Sequence, residues 1–207
     1  MTALDQAVFW RINRDWSNPV LDYLMPALSA IEAWLPLLIV ALLILAWKGS
    51  QKLRWMLLCL GLALGLGDGV IGNGLKKALG RVRPRDSMSG VITRDLADVK
   101  PRTLALFKPP VIKITDIRKP HLVGKSIPSN HTVNLFAATF VVIAFYRRWG
   151  AFVFILATLV AYSRVYVGAH WPGDIIPSIG LGLFAGWCGL AIGQKLQKWQ
   201  QNRIPRD

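Results

Sequence analysis

Five apolar runs separated by polar segments dominate the chain. They cover residues 33–47, 55–75, 132–146, 150–167 and 175–192. A helix that crosses a membrane needs roughly 20 mostly apolar residues, and several runs approach or reach that length. Where a run is shorter, we expect the helix to continue into the membrane interface. The pattern predicts an all-α, polytopic membrane bundle with about five transmembrane helices.

Three segments depart from this pattern. In residues 1–16 apolar and charged side chains alternate, which is typical of an amphipathic helix at the membrane interface. Residues 21–26 predict either a second short surface helix or the first turns of a span. Residues 85–127 form a polar, proline-containing insert, in which residues 111–115 alternate like a short strand. We expect this loop either to act as a lid or headgroup platform, or to be a loosely ordered basic loop on anionic lipid. It should face outward.

Composition agrees with a membrane protein of one domain, residues 1–207, with an interfacial segment over residues 1–30. Hydrophobic residues make up 53% of the chain and charged residues 17%, and the mean hydropathy is +0.39. The net charge of +14 comes from basic residues in the loops between apolar runs, not from one soluble face. Phosphate substrates and anionic lipids explain it better than nucleic acid. Cys59 and Cys188 lie in apolar runs and are interpreted as buried small residues.

Three ionisable side chains stand between two apolar segments near the C-terminus: Arg164, His170 and Asp174. Such groups are costly in a membrane unless they face a wet site. The spacing of four residues puts His170 and Asp174 on one helical face, where a carboxylate can orient an imidazole. Arg164 presents a planar fork that suits a phosphate. The alternative is a histidine at a helix end beside a chance carboxylate.

Two further stretches carry related chemistry. Lys76 and Arg83 add two cations that can bind phosphate, and Ser129, Asn130 and His131 open the third apolar run. A helix that starts there would offer free backbone N–H groups to an anion.

Together these three stretches resemble the signature motifs of the type 2 phosphatidic acid phosphatase superfamily, which comprises integral-membrane lipid phosphate phosphatases. The order and spacing match at every charged position, over about residues 69–183. One departure is Asn130, where the family usually has glycine. Asp68, in the second run, is expected either to hydrogen-bond a motif side chain or to make a polar contact between helices.

The resemblance implies a role for each motif residue and implies neither a metal nor another cofactor. His170 would attack phosphorus and form a phosphohistidine, Asp174 would orient it, and His131 would protonate the leaving oxygen. The groups that would bind phosphate are Lys76, Arg83, Ser129, Asn130 and Arg164. His121, the third histidine, is interpreted as a surface residue.

With five spans, all three motifs fall on one side of the membrane. The short loops on the other side are basic, so the positive-inside rule makes that side cytoplasmic and directs the site outward. We expect a bacterial inner membrane and a lipid phosphate substrate, with undecaprenyl diphosphate first. Lipid A 1-phosphate, phosphatidylglycerol phosphate and phosphatidic acid stay open. So do a lipid phosphotransferase, a non-catalytic lipid-binding or lipid-translocating protein, and a haloperoxidase, whose relatives are soluble.

Overall fold

Helices make up most of the structure, a computed structural model that describes residues 2–118 and 124–203. In chain order these are α1 (Ala3–Trp10), α2 (Pro19–Ser29), α3 (Ile31–Lys48), α4 (Gln51–Leu64), α5 (Asn73–Leu79), α6 (Pro84–Ser87), α7 (Asn130–Phe145), α8 (Arg147–Tyr166) and α9 (Pro172–Arg203). Residues 21–26 therefore belong to α2, a separate short helix that ends before the first long one.

The irregular elements lie in the N-terminal segment, in the second apolar run and in the insert. Arg11–Asp15 and Gly65–Gly72 are π-helical, and Arg102–Phe107 is a 3-10 helix. Strands β1 (Ile92–Asp95) and β2 (Val111–Ile114) form an antiparallel hairpin. The strand predicted at residues 111–115 is thus confirmed, and the described part of the insert is ordered. His121 lies outside the described residues.

Among the residues that the structure describes, four helical segments are long and apolar enough to cross a membrane: Ile31–Lys48, Gln51–Ser87, Arg147–Tyr166 and Pro172–Arg203. The apolar α7, with 16 residues, is shorter. These five segments coincide with the five predicted runs. The prediction of a mainly helical membrane bundle is confirmed, with one small hairpin added, whereas the number of membrane crossings stays a prediction.

The surface of α3 shows where lipid contacts the protein. Ala33 is its one buried residue, and side chains such as Leu37 and Leu43 are more than half exposed. A row of exposed leucine and isoleucine side chains is unfavourable in water but favourable in hydrocarbon. The chain is therefore an integral membrane protein.

The core lies between α4, α7 and α9. Met56, Cys59 and Ala63 of α4 pack against Ala137 of α7 and Ala185 of α9. The cysteine and alanine side chains are small and let the helices approach closely, as is usual in membrane bundles, where apolar side chains gain little by leaving lipid. Cys59 is buried, in agreement with its interpretation as a small core residue.

The N-terminal segment differs from the single amphipathic helix predicted over residues 1–16. It divides into α1 and a π-helical turn, and both Phe9 and Asn13 are fully buried. Phe9 packs against Val91 of the insert and against Trp171, which directly follows His170 in the chain. The segment is therefore attached to the motif end of the bundle, and its contact with the membrane interface stays a prediction.

Candidate active site

The three motifs meet because they occupy the ends of helices at one end of the bundle. Lys76 lies in the last turn of α5, and Arg164 lies in the last turn of α8. Asn130 begins α7, and Asp174 lies in the first turn of α9. The predicted single composite site is thus consistent with the fold.

His170 lies in the short connection between α8 and α9 and is 2% exposed. Its backbone N–H donates to the Arg164 carbonyl at 3.1 Å. The preceding turn uses Gly168 with φ of 77°, a left-handed conformation that glycine adopts at little cost. These contacts hold the imidazole at the edge of the helix ends.

The ring of His170 is oriented by its Nδ1 atom. Nδ1 lies 2.5 Å from the Ser126 carbonyl oxygen, which can only accept, so Nδ1 carries the proton. The Asp174 carboxylate is farther away, with Oδ2 at 3.8 Å from Nδ1. The structure therefore differs from the predicted direct carboxylate–imidazole bond. Protonated Nδ1 leaves the lone pair of Nε2 free to attack.

Burial lowers the pKa of His170 to about 4, and Arg164 adds to this effect while Asp174 opposes it. We therefore expect the imidazole to be neutral, and nucleophilic, down to about pH 4 rather than 6.5. Between those values the unfolded chain binds a proton that the folded one does not, so this residue favours unfolding as the pH falls. The rate of diethyl pyrocarbonate modification of His170, followed by mass spectrometry, should fall with a midpoint near 4. A midpoint near 6.5 in folded protein would contradict the assignment.

Asp174 is fully buried and bound on both oxygens. Oδ2 accepts from the Ser126 hydroxyl at 2.5 Å and from the Trp171 N–H at 3.0 Å. Oδ1 accepts from Arg81 Nη1 at 2.6 Å. Ser126 thus joins the two groups, because its hydroxyl binds the carboxylate and its carbonyl binds the imidazole. Asp174 is thus connected to the imidazole through Ser126, with no direct hydrogen bond between the two.

Three buried side chains of the motifs have a nitrogen atom without a hydrogen-bond partner among the described residues: Arg83 Nε, His131 Nε2 and Arg164 Nε. The Nη1 atom of Arg164 donates to both the carbonyl and the hydroxyl of Ser29, which fixes the plane of its guanidinium. Lys76 lies within electrostatic range of Arg83 and Arg164. Cations at such close range repel one another, and a bound anion would relieve that repulsion.

Ser129 is the N-cap of α7 and is fully buried. Its N–H donates to the Ser178 hydroxyl at 2.9 Å, so this amide is not free for a phosphate. The predicted anion site at the start of α7 therefore does not include the Ser129 N–H. Its hydroxyl accepts from Thr132 at 3.1 Å and can still donate. The first N–H groups of α7, at Asn130 and His131, have no partner four residues earlier.

The Asn130 side chain turns away from a role as phosphate donor. Its amide nitrogen donates to the Asp68 carboxylate, which confirms that Asp68 contacts a motif side chain. Gly72 makes room for this contact, since a Cβ there would lie 2.8 Å from Asn130 Oδ1. The departure from glycine therefore ties α7 to the π-helical segment Gly65–Gly72, and the backbone N–H of Asn130 remains the group offered to an anion.

A pocket of about 220 Å³ opens beside His131 and Arg164. It lies between the corner that joins α2 to α3 and the insert, and its other charged lining residues are Glu32, Arg85, Arg94, Asp95 and Arg102. The described insert is thus part of the wall of the site. Its predicted function as a lid or platform stays a prediction.

Several residues of this end were missed by sequence reasoning. Arg94 is 1% exposed and binds Asp22 at 2.5 Å, the Ser17 hydroxyl at 2.6 Å and the Tyr166 carbonyl at 3.0 Å. It looked like one more cation of a polar loop. Arg81 lies between Lys76 and Arg83, and its sequence position gave no signal distinct from that of Lys77. Ser126, a small polar residue ahead of the second motif, gave none.

Comparison with known proteins identifies the family. A sequence model described as the PAP2 superfamily matches residues 52–198. The chain belongs to the PAP2 superfamily. Within the described residues there is no group of three His, Cys, Asp or Glu side chains that could hold a metal ion.

Individual relatives agree with this membership. The chain is 28% identical over 191 residues to a lipid A 4'-phosphatase from Bacteroides thetaiotaomicron, which covers 91% of this chain and 76% of that protein. It is 31% identical over 107 residues to an undecaprenyl-diphosphatase from Sulfolobus acidocaldarius, which covers 51% and 52%. The crystal structure of Aquifex aeolicus LpxE shares the fold, with a TM-score of 0.64, 22% identity and coverage of 92% and 96%. The chain is therefore a PAP2 lipid phosphatase.

Proposed function

We propose that the protein removes the terminal phosphate of a membrane lipid through a phosphohistidine formed on His170. The observation that carries this proposal is a group of three buried nitrogens beside His170, on Arg83, His131 and Arg164. They have no hydrogen-bond partner within residues 2–118 and 124–203. Leaving a buried donor unsatisfied costs about 1–3 kcal/mol, and a phosphate oxygen would satisfy it. The site is thus built for an oxyanion.

The reaction takes two steps. In the first, the Nε2 lone pair of His170 forms a bond to phosphorus while the bond between phosphorus and the lipid oxygen breaks. His131 gives a proton to that oxygen, so the dephosphorylated lipid leaves. In the second step water attacks phosphorus, His131 takes the water proton, the P–N bond breaks, and inorganic phosphate is released.

Charge stabilisation comes from the surrounding cations. Arg83, Arg164 and Lys76 bind the equatorial phosphoryl oxygens, over which charge redistributes in the transition state. The phosphate in turn brings negative charge beside His131, which favours the protonated imidazole that a general acid requires.

Our first proposed substrate is undecaprenyl diphosphate. If His131 protonates the leaving oxygen, the polar part of the leaving group lies in the pocket that His131 borders. Arg85 and Arg102 line that pocket and could bind the second phosphate of a diphosphate lipid. Arg102 forms an ion pair with Glu32 at 3.7 Å on the wall of the same pocket. The undecaprenyl-diphosphatase relative, matched over 51% of this chain, agrees with this choice.

A lipid A phosphate is the second candidate, and a different observation favours it. The match to the lipid A 4'-phosphatase covers 91% of this chain, so it includes most of residues 85–127, the insert that lines the pocket. Carboxylates such as Glu32 and Asp95 could accept hydrogen bonds from sugar hydroxyls.

We further propose that the site faces the periplasm or cell exterior of a bacterial inner membrane. The loop between α3 and α4 and the loop between α7 and α8 lie at the other end of the chain's helices and are basic. Lys48, Lys52, Arg54, Arg147 and Arg148 cluster there. The positive-inside rule places such short loops in the cytoplasm.

A substrate panel tests the function. Detergent-purified protein, without added metal, is given undecaprenyl diphosphate, lipid A, phosphatidylglycerol phosphate and phosphatidic acid, and phosphate release is measured. We expect selective hydrolysis of one of the first two lipids and competitive inhibition by vanadate. Silence from folded protein across the panel would contradict the proposal and favour a phosphotransferase. In sealed right-side-out vesicles, hydrolysis of added substrate without detergent is expected for an outward site, whereas latent activity would contradict the orientation.

A further inference from the structure

Arg81 connects two carboxylates that come from opposite ends of the chain. Its Nη1 donates to Asp174 Oδ1 at 2.6 Å, and its Nη2 forms an ion pair with Asp5 Oδ2. The side chain of Asp174 is 0% exposed, that of Asp5 is 8% exposed and that of Arg81 is 25% exposed. A planar guanidinium can make both contacts at once, whereas a lysine ammonium offers a single point charge.

Asp5 also contacts the start of α9, directly after the loop that carries the nucleophile. Its Oδ1 accepts from the Gly173 N–H at 2.7 Å, so one carboxylate binds both Arg81 and the backbone next to Asp174. Gly173 lies close enough that an added Cβ would be 3.1 Å from both carboxylate oxygens. Asp5 is held in place by the start of α1, where its own N–H donates to Thr2.

Aromatic packing fixes the same region. Trp171 stands between His170 and Pro172, and its indole N–H donates to the Val82 carbonyl at 2.8 Å. The Arg81 guanidinium lies 5.7 Å from the centre of the Trp171 ring. The ring of Phe9, which belongs to α1, has its centre 5.1 Å from that of Trp171. The ion pair and the aromatic contacts therefore join the N-terminal helix to the loop between α8 and α9.

We propose that Asp5 and Arg81 are positioning residues for the reaction, and that the N-terminal helix thereby completes an active site whose catalytic groups all lie elsewhere. Asp5 precedes the family match, which begins at residue 52. Arg81 fixes Asp174, which binds Ser126, whose carbonyl orients the imidazole. Neither residue contacts the reacting phosphate. This inference rests on the proposed role of His170.

The test compares Asp5→Asn, Arg81→Gln, Arg81→Lys and the double variant Asp5→Asn/Arg81→Gln by kcat, KM and pH profile. A misplaced reacting group can cost about 10²-fold, so we expect kcat to fall roughly 10–100-fold with little change in KM. Arg81→Gln should be the more severe, because Asp5 and Asp174 then lose the cation between them. Arg81→Lys should restore part of kcat, and the two single effects should not add in the double variant.

The pH profile separates positioning from loss of structure. The charged groups around the imidazole are Asp174, Arg83, Arg164 and His131, with Arg81 and Asp5 beyond Asp174. Removing the Arg81 cation should move the acidic limb of kcat/KM assigned to His170 to higher pH, whereas removing the Asp5 anion should not. A fold defect alone would not shift the acidic limb in one variant and leave it in place in the other.

Matched controls come from the same segment. Arg11 and Asp15 form an exposed ion pair at 3.5 Å, so Arg11→Gln and Asp15→Asn change the same charges without touching the site. We expect both to keep wild-type kcat. The proposal is overturned if folded Asp5→Asn and Arg81→Gln proteins keep kcat within about threefold, if the controls lose as much, or if the acidic limb stays in place in Arg81→Gln. Retained activity in His170→Ala would instead overturn the proposed function, whatever these variants do.

Discussion

Replacing His170 by alanine should lower kcat by about 10⁴-fold or more, because it removes the nucleophile that the proposed mechanism places at the phosphorus. Binding should survive: Arg83, Arg164 and Lys76 remain, so KM should change far less than kcat. The measurement is steady-state phosphate release from the best lipid of the panel.

A matched control is His121→Ala, which removes a histidine that the sequence assigns to the surface. It should keep wild-type activity. Size-exclusion behaviour and thermal unfolding in detergent should be similar for wild type and both variants. A folded His170→Ala protein with substantial activity would contradict the nucleophile assignment, and equal losses in both variants would point to a general defect.

Replacing His131 by alanine should have the second largest effect, with a loss of about 10²–10⁴-fold on the natural lipid. The physical reason is that an alkoxide or lipid phosphate oxygen leaves poorly without a proton. A nitrophenyl phosphate ester needs no such proton, so its first step should be far less affected. Because water activation also falls to His131, we expect a burst of about one nitrophenol per enzyme followed by slow turnover.

The test of the general acid role is the difference between the activity lost on the natural lipid and the activity lost on the nitrophenyl ester. A loss of similar size on both, with no burst, would contradict the general acid role and leave His131 as a binding group. Arg164→Gln provides a comparison, because it removes a phosphate contact without removing a proton donor. It should slow both substrates alike and raise KM for both.

Sequence patterns predicted the helices better than their ends. The apolar run at residues 175–192 locates α9, but the helix continues to Arg203. Hydropathy falls where lysine and glutamine begin, although both residues favour helix. The pattern thus marks the expected membrane-embedded part of a helix, not its length. The N-terminal segment shows the opposite error: its mixed pattern suggested a surface helix, yet Asn13 is buried because it binds the carbonyls of Ile92 and Tyr166.

Motif spacing predicted the members of the site but not how they are connected. Arg164 lies at the end of one helix and His131 at the start of another, and the two ends meet. The sequence predicted this, because five successive spans bring all three motifs to one side of the membrane. The distance of 3.8 Å between His170 and Asp174 could not be read from a spacing of four residues, because the intervening Ser126 belongs to the insert. Asp5 and Arg94 were unpredictable for the same reason, since each is buried by partners more than 70 residues away.

The central claim is the phosphohistidine on His170, and trapping it is the most direct measurement. Enzyme mixed with substrate carrying ³²P in its terminal phosphate is quenched in denaturant at alkaline pH, where phosphohistidine survives, and its peptides are sequenced by mass spectrometry. We expect label on the peptide that contains His170 and none in His170→Ala. In His131→Ala, label should accumulate when the labelled substrate is the nitrophenyl phosphate, whose first step needs no proton. Label on another residue, or turnover without any labelled protein at all sampled times, would contradict the central claim.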